Sequence, residues 1–337
     1  MGSGIARLVF EKEGLELVAV CSRRADLDGA DLSRVIGVDG DLNIPISADL
    51  ATIIDETRPH VAIQANCSKV AHAVDDISTL VRHGVSVISI AEEMAFPAAS
   101  SPECAEALQK LALDKGVSVL GTGINPGFVL DLLIITLTGV CSHIQSITAR
   151  RVNDLSPYGP TVLKSQGVGL TPEEFRKGLE NGTIVGHIGF AESIGMIAAT
   201  IGWEIERIEE RREPIISKVR RETPFVTVEP GQVAGCYHSA IAYQEGKPVI
   251  TLDHPQQIHP HLEEVETGDT IEIKGTPDIR IGGSPEIPGG MGTVALAVNM
   301  IPRMLNAAPG LYNMADLPVP AAMLGDVRNF IGKRLKE

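Results

Sequence analysis

The sequence predicts an α/β protein in which a Rossmann-like parallel-sheet domain is followed by an α+β substrate or dimerisation domain. Three observations carry this. Up to about Gly127, short β-branched runs alternate with amphipathic helical patterns, the rhythm of βαβ units. Beyond it the rhythm changes to a helix and then longer strand-like segments with few crossover helices. Hydrophobic residues make up 44% and charged residues 21% of the 337 residues, a globular composition with enough chain for two cores.

The first element is Met1-Gly2-Ser3-Gly4-Ile5-Ala6-Arg7, which has the form of the end of a Gly-x-Gly-x-x-Gly turn running into its helix, Gly2 being the third glycine. The strand that precedes such a turn is not in the sequence, so the expected Rossmann-like domain is incomplete at its N-terminus. A helix of about a dozen residues then leads to a strand at Leu15–Ser22, as a βαβ unit requires. Further strands are predicted at His60–Asn66, Val85–Ala91 and Val117–Gly123. Between them, Lys69–His83 sets Val70, Val74, Ile77, Leu80 and Val81 on one helical face, and Cys104–Lys115 does the same with Ala107, Leu108, Leu111 and Ala112.

In the second domain, Thr171-Pro172-Glu173-Glu174 reads as a helix start, with Thr171 as N-cap, Pro172 in the first turn and Glu174 closing a capping box. Antiparallel strands are expected at Phe225–Glu229, Ser239–Tyr243, Val249–Asp253 and Thr270–Lys274. A last apolar helix, Gly292–Leu305, is expected to return to the first domain. The expected divisions are residues 1–126, 127–290 and 291–337.

Composition narrows the function. A formal charge of −14 opposes nucleic acid and anionic membrane as partners, because both need a basic face. No apolar run reaches the length of a membrane span, and no secretion signal is read, so a cytoplasmic protein acting on a small molecule is expected. The five cysteines are scattered without a Cys-x-x-Cys pair, which suggests reduced thiols and neither a disulfide framework nor a metal site.

Chemistry is expected at the carboxyl ends of the parallel strands, where open α/β sheets bind ligands. Gly2 and Ser3 would receive a pyrophosphate on backbone N–H groups at a helix N-terminus. Ser22, Arg23 and Arg24 follow the second Rossmann strand, where a hydroxyl and two guanidinium groups suit a 2′-phosphate and favour NADP over NAD. Asp26 and Asp28 nearby keep NAD open. Asn66 ends the next strand. Glu92 and Glu93 put consecutive carboxylates after another, and either could take a proton from an ammonium group. Gly121 to Asp131 holds an Asn125-Pro126-Gly127 turn suited to close backbone approach.

Taken together, Gly121 to Asp131, Ala91-Glu92-Glu93, Leu170 to Phe175, Gly186-His187-Ile188-Gly189 with Glu192-Ser193, Val226 to Gly235, and Ile273 to Asp278 resemble the 2,4-diaminopentanoate dehydrogenase family and its amine-dehydrogenase relatives. That group is similar in its first domain to dihydrodipicolinate reductase. The resemblance implies oxidative deamination of a small amine with NAD or NADP, or the reverse reductive amination. It further implies a catalytic carboxylate at Glu92 or Glu93, a nicotinamide beside Asn125, Pro126 and Gly127, substrate contacts from Arg151 and His187, and a homodimer. A dihydrodipicolinate reductase-like imine reductase is one alternative. A nucleotide-binding protein without catalysis is another.

Overall fold

The computed structural model describes residues 1–332, and the last five positions of the expected C-terminal tail, 333–337, lie outside the described residues. The chain divides into two compact units, one formed by Met1–Phe128 with the chain from Pro288 onward, the other by Val129–Ile287.

The first unit opens with helix α1 (Gly2–Glu11), strand β1 (Val20–Cys21), α2 (Ser33–Ile36), β2 (Ile46–Ser47) and α3 (Leu50–Thr57). Regular βα alternation follows through β3 (Val61–Gln64), α4 (Val70–Arg82), β4 (Ser86–Ser89), α5 (Pro102–Lys115) and β5 (Ser118–Gly121). All four strands predicted here exist, each shorter than its apolar run. The largest loss is at Leu15–Ser22, reduced to Val20–Cys21. The cause is pairing. Among the described residues β1 bonds in parallel only to β2, while β3 pairs only with β4, so the parallel sheet comes in two pieces. Leu15–Ala19 has apolar side chains to bury but no ladder to join. Ala73, Ile77, Val81, Leu108 and Ala112 from α4 and α5 pack with Val87 and Val119 of the sheet in a closed core.

The second unit runs through α6 (Leu132–Thr138), β6 (His143–Asp154), α7 (Pro160–Ser165), α8 (Pro172–Glu180), α9 (Phe190–Ile201), β7 (Arg207–Ile216), β8 (Arg221–Glu222), β9 (Thr227–Val228), β10 (Val233–Gln244), β11 (Lys247–Gln257), β12 (Gly268–Thr276) and β13 (Ile279–Gly283). Six of these strands make one sheet in the order β13-β12-β6-β11-β10-β7, antiparallel except where β11 runs beside β6. The Thr171 capping box forms as the residues require, Thr171 Oγ1 accepting from the Glu174 amide and Glu174 returning the bond.

Phe225–Glu229 is a correction. Only Thr227–Val228 is a strand, paired with Arg221–Glu222 outside the main sheet. β7 is an edge strand of sequence RIEERREPII, and its charges guard an edge against stray pairing while hiding the period-2 signal a strand is found by.

From Pro288 the chain belongs to the first unit again, with α10 (Gly289–Asn299), α11 (Ile301–Leu305) and β14 (Gly310–Tyr312). The single helix expected at Gly292–Leu305 is two, because Pro302 has no N–H to continue the α10 ladder and instead takes an opening position of α11. α10 packs on α1, where a side chain added at Gly4 would meet Val294 at 3.1 Å. β14 adds a parallel strand beside β5.

Candidate functional site

In the first unit the residues of interest gather at the carboxyl ends of the strands. Gly2 and Ser3 form the exposed first turn of α1. Ser22 follows β1 and its Oγ accepts from the Arg24 amide at 3.2 Å. Arg23 reaches across to β3, its Nη2 donating to the Asn66 carbonyl at 3.0 Å, while the Asn66 amide donates to Asp76 at 2.9 Å. Arg24 turns away and is paired with Asp26 through two of its nitrogens. Arg23 and Asn66 are therefore joined. Arg24 reaches a carboxylate of its own loop.

Glu92 and Glu93 open a 3-10 turn just beyond β4. Their surroundings differ. Glu93 Oε2 accepts the Val70 amide at 2.8 Å, so its carboxylate satisfies an otherwise orphaned donor at the N-terminus of α4. Burial pushes the Glu92 carboxyl above the usual carboxylate range, outweighing hydrogen bonds from its own amide and from Ser68, and the Glu93 charge adds to the rise. The turn is pressed onto the end of β5. A Cβ at Gly121 would lie 1.6 Å from the Met94 carbonyl oxygen, so only glycine lets the backbones approach this closely. The next loop folds on itself through a cis Asn125-Pro126 bond, and Gly127, at φ 120°, has no room for a side chain because one would stand 2.5 Å from the Gly123 backbone.

The second unit has a buried imidazole cluster. His238 on β10 and His254 on β11 are directly opposite in register and nearly inaccessible. His187 lies on the loop before α9, its ring 4.8 Å from those of His254 and Phe190. The His187 amide donates to His238 Nδ1 at 2.9 Å, so the other nitrogen of His238 carries the proton and meets Glu210 at 3.1 Å. Gly186 makes this approach possible, having a positive φ and no space for a Cβ against the His238 ring. Burial pushes the His187 imidazole down to about 3, with His238 and Arg151 adding to the fall. His254 is held well below its ordinary range for the same reason. His187 Nε2 is buried with no hydrogen-bond partner among the described residues. Arg151 is buried on β6, with Nη1 bonded to both oxygens of Asp269 at 2.7 and 2.8 Å and Nη2 donating to the Ile287 carbonyl.

The model of the 2,4-diaminopentanoate dehydrogenase C-terminal domain matches residues 128–333. Over 337 residues the chain is 46% identical to 2,4-diaminopentanoate dehydrogenase of Acetoanaerobium sticklandii, covering 100% of this chain and 96% of that protein. The chain belongs to the 2,4-diaminopentanoate dehydrogenase family. It is also 25% identical to an amine dehydrogenase of Streptomyces virginiae, covering 94% of this chain and 93% of that one. Among solved structures, the amine dehydrogenase from Mycobacterium smegmatis matches with a TM-score of 0.84 at 24% identity, over 95% of this chain and 94% of that one, and shows the same fold. A probable dehydrogenase from Thermotoga maritima has a TM-score of 0.58 at 10% identity, over 94% of this chain and 89% of that one. Among the described residues no helix is long and apolar enough to cross a membrane.

Sequence reading missed His238, His254 and Glu210. Each lies within or beside a strand, and only the pairing of β10 with β7 and β11 brings them to the His187 loop. The signal open to sequence was Gly186 beside His187.

Proposed function

We propose that this member of the family oxidises the C4 amine of 2,4-diaminopentanoate, giving 2-amino-4-oxopentanoate and ammonia with reduction of NAD or NADP. The observation that carries the mechanism is Glu92, a half-buried carboxylate with a raised pKa at the carboxyl end of a Rossmann-like sheet. The substrate class comes from the relatives' names, 2,4-diaminopentanoate dehydrogenase and amine dehydrogenase.

A dinucleotide suits the residues at this edge. The first turn of α1 is open where a Cβ at Gly2 would meet nothing within 4 Å, leaving its amides clear for a pyrophosphate, and Arg23 offers a guanidinium at the end of β1. Ser22 and Arg23 would hold the adenosine ribose or its 2′-phosphate, with Arg24 joining once released from Asp26. Asn66, joined to Arg23, would hold the same end of the coenzyme, while Asn125, Pro126 and Gly127 would line the nicotinamide, which would supply the hydride acceptor.

Glu92 takes a proton from the substrate ammonium, freeing the lone pair that drives hydride departure from the carbon. Water then adds to the resulting iminium carbon, and C–N cleavage releases ammonium, with one proton passing to solvent. Glu93 holds the turn in place through α4. In the second unit, His187 is neutral with a bare Nε2 position, and Arg151 is held by Asp269 and the Ile287 carbonyl. A cytoplasmic location and a homodimer belong to the same proposal, the dimer checked by light scattering and the location by cell fractionation.

The deciding assay mixes purified chain, 2,4-diaminopentanoate and NAD or NADP, following reduced coenzyme and ammonia together. One ammonia per reduced coenzyme is expected. Glu92→Gln should lower kcat by about 10²-fold or more with coenzyme affinity held within about twofold. Absence of amine oxidation, or full turnover by Glu92→Gln, overturns the assignment.

A further inference from the structure

The stretch from His254 to Glu266 contributes His254 to the imidazole cluster, but His259 and His261 have no part in it. Both lie just past the end of β11, beside Asp154 at the end of β6, the strand that runs parallel to it. One ligand-capable atom from each of Asp154, His259 and His261 lies within 4.8 Å of the others. We propose that Asp154, His259 and His261 form a binding site for one divalent transition-metal ion of the zinc class.

The hydrogen bonding prepares these side chains for a cation. His259 Nε2 is 2.8 Å from the Glu222 carbonyl oxygen, which can only accept, so the proton is on Nε2 and Nδ1 presents its lone pair. Such a bond from the far ring nitrogen fixes the orientation of a metal-binding histidine. Asp154 Oδ1 accepts from the Ser156 amide at 2.8 Å, the Ser156 hydroxyl at 2.6 Å and the His259 amide at 3.1 Å. Those bonds pin the carboxylate and turn its second oxygen to the ligand role. His259 itself is held in the left-handed region at φ 44°, and the ring of His261 stands at 83° to its own with centroids 5.6 Å apart.

Two imidazoles and one carboxylate are a donor set for zinc, cobalt or nickel rather than for magnesium or calcium, which take oxygen ligands. Bonds of about 2.0–2.2 Å set neighbouring tetrahedral ligands about 3.3 Å apart, so the side chains close inward on binding, the exposed His261 moving most. Water completes the coordination. Arg221 donates to the His259 carbonyl at 3.3 Å, but its guanidinium is paired with Glu263. The ion would tie the end of β6 to the turn after β11, independently of amine oxidation.

The test strips the full chain with a chelator and titrates Zn²⁺ alone by calorimetry and by equilibrium dialysis with elemental analysis. Parent protein and three variants are compared. One Zn²⁺ per chain is expected, with affinity reduced about tenfold or more in His261→Gln and in Asp154→Asn, and unchanged in His72→Gln, which removes an exposed histidine of α4. Co²⁺ should give ligand-field absorption bands in the parent that His261→Gln loses. Because His261 is exposed, that variant decides the question even if Asp154→Asn fails to fold. No stoichiometric Zn²⁺, or the same affinity in His261→Gln as in the parent, overturns the proposal.

Discussion

Glu92 and Glu93 are adjacent and chemically alike, yet their surroundings differ. A carboxyl whose pKa is raised by folding binds its proton more tightly folded than unfolded, so stability falls as pH rises from the unfolded value, about 4.3, through the higher folded value. Above the unfolded value Glu92 therefore destabilises the fold. Glu92→Gln should melt at a higher temperature than the parent at pH 7, with the difference vanishing below about pH 4. Glu93→Gln removes a charge from the N-terminus of α4 and should cost about 0.3–1 kcal/mol, with turnover largely retained. Calorimetry and steady-state kinetics on the two variants check both. Equal thermal shifts would mean that the two carboxylates are not divided in this way. Sequence placed the pair at the right strand end but could not separate its members, because Val70 and Ser68 come from the preceding βα connection.

At the scale of elements, backbone approach and strand pairing decide what the residues can do. The turn that carries Glu92 is seated by Gly121, so Gly121→Ala should push it from β5, costing about 1–3 kcal/mol and reducing kcat at least tenfold while β4 stays paired. Thermal melts and kinetics would show it, and an unaltered kcat would mean the turn's position is immaterial. β1 and β3 each have one paired edge, whereas β4 is paired on both sides, so hydrogen exchange should be slowest in Ser86–Ser89 and fastest in Val20–Cys21. In the second unit, β10 and β11 hold His238 and His254 neutral beside His187. For a histidine whose pKa is lowered by folding, stability is complete above the unfolded value, about 6.5, and is lost as pH falls below it toward the folded value. Each such imidazole steepens the loss by up to about 1.4 kcal/mol per pH unit. Urea unfolding between pH 7 and 5 should show this slope, and His187→Gln should flatten it. Glu210, whose pKa is lowered by its hydrogen bond to His238, adds its loss only at lower pH.

At the scale of the whole molecule, the first unit is discontinuous in sequence and the second is one continuous stretch. β14 pairs with β5, the Ser118 hydroxyl donates to the Ala308 carbonyl at 2.9 Å, and α10 packs on α1, so the returning segment completes the first unit's sheet and core. Ending the chain at Ile287 should lower the melting temperature of the first unit and expose β5 amides to exchange. The sheet of the second unit should keep its protection. Exchange measured by mass spectrometry separates the two, and unchanged protection of Val119 and Leu120 would show the return to be dispensable.

Local chemistry determined much by itself. The βα rhythm, the face of α4 and most of that of α5, where Ala105 is buried and the expected Ala107 is exposed, the Thr171 cap, the carboxyl-edge position of Ser22, Asn66 and Glu92, and the family motifs all depend on residues close together in sequence. Their signals are periodicity, caps and turn glycines, which a few neighbouring side chains are enough to set. Only the tertiary structure decided the division of labour between Glu92 and Glu93, the engagement of Arg151 by Asp269, the meeting of His187 with His238 and His254, and the proximity of Asp154 to His259 and His261. Those depend on strand order and register, on burial and on which donors a distant loop brings, and these follow from the free energy of the folded chain as a whole rather than from any local window of it.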